Sequence, residues 1–354
     1  MAPVRIALIG SGIIGRRHIE ALKTNPEKHV LAAIADPASA AERLASELSV
    51  PHYASHEPLL DRENPDGVII ATPNQLHCSV GIACIERGIP VLVEKPIADT
   101  VAAALDLVEA GERANVPILV GHHRRHNPIM RKAVELVRSG GIGQVIAAAT
   151  LWLCHKPKDY FDITWRREPG GGPLLINAIH DVDCLRMLCG EIETVQAKTA
   201  NMARGFPVED TAAAILTFEN GALGTLLVSD SVSAPWSWEC TSRENPFYPH
   251  EPENCYLISG TRGSLSVPSL EHRWHDEGQE SWGVPLTQKR IPFMPADPYI
   301  EQLSHFVDVI RGKAEPVPSG ADATRTLAAT LAIAESAKTG LPVRVADLLR
   351  RERS

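Results

Sequence analysis

Residues 4–15, VRIALIGSGIIG, constrain this chain more than any other segment. Val4, Ile6, Ala7, Leu8 and Ile9 form a short apolar run of the kind found in a parallel strand covered on both faces. A glycine turn follows, and then the start of a helix. Gly10 permits the tight turn, Gly12 lets a pyrophosphate approach the backbone, and Gly15 lets the helix pack closely on the strand. The free amides at the helix start, around Ile13 and Ile14, then face the phosphates. A lone GxGxxG is weak, but here it follows an apolar strand and precedes a second one, 30–35, that ends in an acid.

That acid, Asp36, bears on cofactor choice. A carboxylate at this strand end accepts hydrogen bonds from the adenosine ribose hydroxyls and repels a 2′-phosphate. The next residue is Pro37, and the nearest following cation is Arg43. The pattern favours NAD over NADP.

The 354 residues suffice for two domains with a sizeable core. The formal net charge of −8, with no long basic block, counts against nucleic acid as a partner. No apolar run approaches the ~18 residues of a membrane span, and the first strand begins too early to leave room for a signal peptide. Seven scattered cysteines without a CxxC pattern predict reduced thiols in a cytoplasm.

Strand-like and helix-like segments alternate through the first third, with strands expected at 30–35, 67–72, 90–95 and 116–121. Alternation with short connections predicts a doubly wound parallel sheet with helices on both faces. The texture then changes. Segments 144–153, 193–200, 211–218, 222–230 and 255–259 read as a second, mainly antiparallel sheet, interrupted by one helix near 173–189. The polar, Pro-rich stretches 231–254 and 270–296 read as long loops. The expected division is an NAD-binding Rossmann domain over 1–122 and an α+β substrate and oligomerisation domain over 123–354, with a C-terminal helix at 322–338 packing back towards the first.

Three motifs sit where an open α/β sheet binds ligands, at the carboxyl ends of strands. Thr72-Pro73-Asn74, with His77 close behind, ends the third strand, and Glu94-Lys95-Pro96 ends the fourth. Each alone reads as an ordinary turn. With the glycine turn and Asp36, in this order, they resemble the Gfo/Idh/MocA family of oxidoreductases. The resemblance extends through the segment Gly121-His122-His123-Arg124-Arg125, the triple glycine 170–172, and the helix carrying His180-Asp181-Val182-Asp183.

The resemblance implies a Rossmann domain joined to an α+β domain, and oxidation or reduction of sugars, polyols or related cyclic alcohols with NAD or NADP. It implies that Lys95 is the central catalytic residue and His180 the second. The chemistry agrees: an ammonium stabilises developing charge on a substrate oxygen, and an imidazole titrates near working pH. The positive charge of NAD⁺ would disfavour the ammonium and make Lys95 a better proton carrier. Glu94 either orients Lys95 or binds the cofactor. Gly10, Gly12, Gly15, Asp36, Thr72, Pro73, Asn74, His77, Glu94, Lys95 and Arg124 are the expected cofactor contacts. The family commonly has a catalytic Asp four residues before this histidine, whereas this chain has Ile176. Asn177, three residues before His180, shares its helix face and is the expected substrate ligand. Arg124, Trp165 and Arg166 are further substrate candidates.

His122, His123 and His126 lack acidic or thiol company, so no metal is expected. Two rival functions stay open. Basic residues in 156–167, with Lys156 and Lys158, would suit a dehydrogenase of aromatic-acid cis-dihydrodiols. A non-catalytic NAD-binding regulator would keep the fold without the chemistry. An open apolar sheet face needs cover, which predicts a homodimer or homotetramer.

Overall fold

The computed structural model describes residues 2–351 and divides into two compact units. The first comprises the chain up to His126 together with Ala296–Leu327. In it, β1 (Val4–Ile9), α1 (Ile13–Leu22), β2 (His29–Ala35), α2 (Ser39–Glu47), β3 (His52–Tyr53), α3 (His56–Glu63), β4 (Gly67–Ile70), α4 (His77–Ile85), β5 (Val91–Val93), α5 (Val101–Ala114) and β6 (Ile118–Val120) follow one another. The sheet is wholly parallel, ordered β3-β2-β1-β4-β5-β6. This is the doubly wound order whose reversal beside β1 opens a ligand crevice. β1, β4, β5 and β6 are buried almost throughout, as strands covered on both faces must be.

The second unit comprises Asn127–Pro295 and the chain from Ala328. It begins with α6 (Pro128–Arg138), capped by Asn127, whose side chain accepts from the Ile129 amide at 2.9 Å. Then come β7 (Val145–Leu153), α7 (Ile179–Cys189), β8 (Ile192–Ala200), β9 (Thr211–Phe218), β10 (Leu223–Ser229), α8 (Trp238–Thr241), β11 (Tyr256–Gly260), β12 (Ser264–Val267), β13 (Glu271–Trp274) and β14 (Thr287–Arg290). With β15 (Val343–Arg344) they form a nine-stranded sheet, antiparallel except where β7 meets β10. Burial alternates along β9 and β10, so one face carries Ala214, Leu216 and Leu226 inward while the other exposes Ile215, Leu223 and Leu227.

Three features depart from the sequence reading. The stretch 270–296 contains β13 and β14, whose mostly polar residues lack the alternation of apolar and polar positions that marks a half-buried strand. The expected helix 173–189 opens as a π-helical segment, Leu174–Ala178, before becoming α7. The compact units also do not follow the linear division at 122. α9 (Pro298–Ile310) belongs to the first unit, and α10 (Gly320–Thr339) is divided between the two at Leu327. α9 is amphipathic, and its Leu303, Phe306 and Val307 complete the core formed by Val4, Ile6, Ile19 and Ile69. The short α11 (Val345–Arg351) closes the chain beside β8. No helix among the described residues is long and apolar enough to cross a membrane.

Phe306→Ala should therefore destabilise the first unit by about 3–5 kcal/mol, since it empties a fully buried ring position. Calorimetric melting would check this. A near-neutral effect would contradict the assignment of α9 to that core.

Candidate active site

The glycine turn is built as the cofactor fingerprint requires. A Cβ on Gly15 would lie 2.1 Å from the Gly10 carbonyl oxygen, and one on Gly10 would lie 2.5 Å from that of Ala71. Gly10 also takes φ +91°, a left-handed value open to glycine. A Cβ on Gly12, by contrast, would meet nothing within 4 Å. The turn is thus tight on its protein side and open where a pyrophosphate would approach. Ile13 and Ile14 begin α1 with exposed side chains. The residues present fit a dinucleotide.

Asp36 closes the turn from the end of β2. Its Oδ2 accepts the Ser11 amide at 2.7 Å and the Ser11 hydroxyl at 3.0 Å, and Oδ1 accepts the Ala38 amide at 2.9 Å. Partial burial works against the charged form, but these hydrogen bonds outweigh it and hold the carboxyl below its ordinary range. The carboxylate therefore does two jobs: it anchors the loop and keeps acceptor capacity for a ribose hydroxyl.

Backbone hydrogen bonds bring the other strand ends alongside: Ala71 N–H to the Ile9 carbonyl, Glu94 N–H to Ile70, and Gly121 N–H to Val93. Glu94 points inward and is buried. His18 Nε2 donates to its Oε1 at 2.8 Å, and the Lys95 amide donates to its Oε2 at 3.1 Å. Burial disfavours charge on Glu94, yet the His18 hydrogen bond and the charges of His18, Lys95 and His123 leave its carboxyl below the usual range. Glu94 thus holds the main-chain amide of Lys95. His18 was not legible as a site residue, because its partner lies 76 positions away.

His77 is 1 % exposed, with Nδ1 2.8 Å from the Pro96 carbonyl oxygen and Nε2 2.9 Å from that of Thr72. Burial pushes its pKa down, while the two carbonyl contacts and the charges of Glu94 and Asp99 work the other way. The ring braces two loops. Thr72 Oγ1, in contrast, is a buried hydroxyl with no hydrogen-bond partner among the described residues. Pro73 is exposed and Asn74 half-buried at the start of the turn into α4.

Arg124 is 2 % exposed. His123 stacks on Tyr299 at 4.6 Å between ring centroids, and His126 lies 5.3 Å from His305. Among the described residues no three His, Cys, Asp or Glu side chains are grouped to hold a metal.

In the second unit His180 is buried near the start of α7. The preceding π turn changes the residue spacing, so Asn177 and His180 do not share the simple i, i+3 face expected of an α-helix. Asn177 is half-buried, with an Oδ1 that has no hydrogen-bond partner among the described residues. Asp181 accepts the Tyr256 hydroxyl, and Asp183 lies 4.0 Å from Arg186. The basic stretch is divided. Lys156 is buried 3.5 Å from Asp230, and burial lowers its pKa despite that partner. The Arg166 guanidinium lies 4.0 Å over the Tyr160 ring and donates to the Tyr160 carbonyl. Lys158, Trp165 and Arg167 are exposed. Sequence reasoning also missed Glu209, whose carboxylate accepts the Leu174 amide at 3.1 Å and leaves no room for a Cβ on Gly172.

A phosphate turn, an ionised strand-end acid and a lysine backed by a buried carboxylate make this the architecture of a nicotinamide-dependent oxidoreductase. Comparison with known proteins agrees. Residues 4–122 match the model of the oxidoreductase family with an NAD-binding Rossmann fold, and residues 130–266 match the GFO/IDH/MocA C-terminal domain. The chain belongs to the Gfo/Idh/MocA family. It is 27 % identical to 1,5-anhydro-D-fructose reductase of Ensifer adhaerens, over 95 % of this chain and 97 % of that one. It is also 27 % identical to the NAD⁺-dependent scyllo-inositol 2-dehydrogenase of Bacillus subtilis, over 97 % and 96 % of the two chains. The fold matches the WlbA dehydrogenase of Bordetella pertussis, solved with NADH and UDP-GlcNAcA, with TM-score 0.79 and 24 % identity over 97 % and 98 % of the chains.

Asp36→Ala should weaken NAD⁺ binding roughly tenfold, the loss of one charge-assisted hydrogen bond, and narrow the preference over NADP⁺. Because the folded carboxyl lies below its unfolded value, its stabilisation is complete above about pH 4 and is lost as pH falls through the lowered value. The melting temperature of Asp36→Asn should accordingly decline less steeply below pH ~4 than that of the wild type. Titration calorimetry and pH-dependent melting check the two halves. Unchanged affinity and parallel melting curves would contradict both.

Proposed function

We propose that the protein interconverts a secondary alcohol and a ketone on a sugar, polyol or cyclic diol, with NAD as the redox partner. The observation that carries this reading is Lys95, which leaves β5 beside the cofactor turn with its amide held by the buried Glu94 carboxylate. When bound, the nicotinamide supplies the hydride acceptor or donor. Lys95 hydrogen-bonds the substrate oxygen and stabilises the charge that develops there. His180 takes up the alcohol proton during oxidation and returns it during reduction. Asn177 accepts a substrate hydroxyl through its unpartnered Oδ1. The names of the relatives, a reductase of an anhydro sugar and an inositol dehydrogenase, support a polyhydroxylated substrate.

The protein is also proposed to be a cytoplasmic homodimer or homotetramer. All seven cysteines are thiols rather than disulfides, which suits a reducing compartment. Ile215, Leu223 and Leu257 project from one face of the nine-stranded sheet, each about half exposed. Such a face is covered most simply by the same face of a second copy. Ile215→Arg should dissociate the oligomer in light scattering. A wild-type monomer at micromolar concentration would contradict the proposal.

The test is reduced-nicotinamide absorbance with NAD⁺ and, in parallel, NADP⁺ against inositols, aldoses, sugar acids and aromatic cis-dihydrodiols. Turnover on one class is expected with NAD⁺. Lys95→Ala and His180→Ala should then each lose about 10²–10⁴-fold in kcat while NAD⁺ binding is retained. Normal turnover in either variant would remove that residue from the mechanism. Binding of NAD⁺ without turnover in either direction would favour the regulator.

A further inference from the structure

Lys95 is gripped through both of its chain neighbours by a buried histidine. On one side His18 holds Glu94; on the other His77 holds the Pro96 carbonyl. The two grips differ in kind. His77 contacts only neutral carbonyl oxygens. His18 contacts a carboxylate, and that carboxylate in turn binds the Lys95 amide. Glu94 is acceptor-only when ionised, so the shared proton sits on His18 Nε2. The surroundings favour this arrangement. A Cβ on Gly121 would lie 2.7 Å from Glu94 Oε1, so glycine there is what makes room for the inward carboxylate. Tyr299 of α9 covers His18 edge-on at 5.5 Å and is itself stacked on His123 and overlaid by Arg17 at 5.1 Å. The titratable groups that act on Glu94 are His18 from α1, Lys95 beside it in the chain and His123 after β6, and Glu94 acts in turn on His77 of α4.

We propose that His18 is a positioning residue for the reaction. Through the buried Glu94 carboxylate it fixes the main chain at Lys95 and keeps a full negative charge on the residue before it. Without the His18 hydrogen bond, burial prevails and Glu94 takes a proton. Lys95 then loses the attraction of that charge and releases its proton at lower pH. Bound NAD⁺ brings a positive charge, so Glu94 sets the level from which the cofactor shifts the lysine. The catalytic relevance rests on the role proposed for Lys95, whereas the coupling itself is a property of the protein alone.

The test reads Lys95 directly in protein without cofactor. Its amine is labelled with an acylating reagent across a pH series, and the Lys95 peptide is quantified by mass spectrometry. Glu94→Gln and His18→Phe should each lower the labelling midpoint by about one pH unit, the effect of one nearby opposite charge. The double variant should move it no further, because both act through one carboxylate. His18→Gln retains an N–H donor and should return the midpoint towards the wild-type value. His77→Leu should lower kcat without moving the midpoint, as loss of a merely structural brace would. An unmoved midpoint in Glu94→Gln, additive shifts in the double variant, or a shift in His77→Leu equal to that in His18→Phe would overturn the proposal. Should His18→Phe fail to fold, the comparison of Glu94→Gln with His18→Gln still decides it. Full turnover in Lys95→Ala would instead refute the catalytic reading and leave the coupling measurable.

Discussion

A buried carboxylate is costly unless every lone pair that faces the interior is used, and Glu94 is such a group. Its demands explain several otherwise unrelated features of the first unit. They require a donor on the inner face of α1, which is His18. They leave no room for a side chain after β6, which is why Gly121 stands there. They turn the Lys95 amide inward, so the main chain at the functional residue is set by the core rather than by the surface. A lysine side chain is long and flexible, and fixing its root is the most effective way to restrict where its ammonium goes.

The remainder of the first unit delivers partners to that point. The parallel order beside β1 brings the ends of β1, β4, β5 and β6 to one edge, each joined to its neighbour by a backbone hydrogen bond. The tight Gly10–Gly15 approach lets α1 lie close enough for His18 to reach Glu94. α9, which arrives from late in the chain, supplies Tyr299 over His18 and Phe306 to the core. Cofactor turn, lysine and C-terminal helix thus share one packing problem.

What the sequence discloses follows from the range of the interactions. The glycine turn, the apolar strands and the strand-end acid are local patterns, and each appears where it is expected. The second sheet was legible through β7 to β11, where burial alternates. It faded at β13, of mostly half-buried polar residues, and at β14, exposed throughout. The π turn at Leu174–Ala178 leaves no mark in composition and alters how Asn177 relates to His180. His18 and His77 show the other limit. Whether a polar side chain faces a ligand or the interior depends on partners far away in the chain, and no spacing rule encodes that choice. His77 sits beside a cofactor motif yet serves the backbone, while His18, on the buried face of an ordinary amphipathic helix, reaches Glu94.

Hydride transfer between nicotinamide and a carbinol carbon is the reaction to follow. NADH carrying deuterium at C4 on either face is supplied together with the ketones of the polyol and sugar panel, and the products are examined by mass spectrometry. One deuterium is expected on the new carbinol carbon from one face of the label, and none when Lys95→Ala replaces the wild type. Tight NADH binding with no label transferred to any ketone would contradict hydride transfer as the reaction.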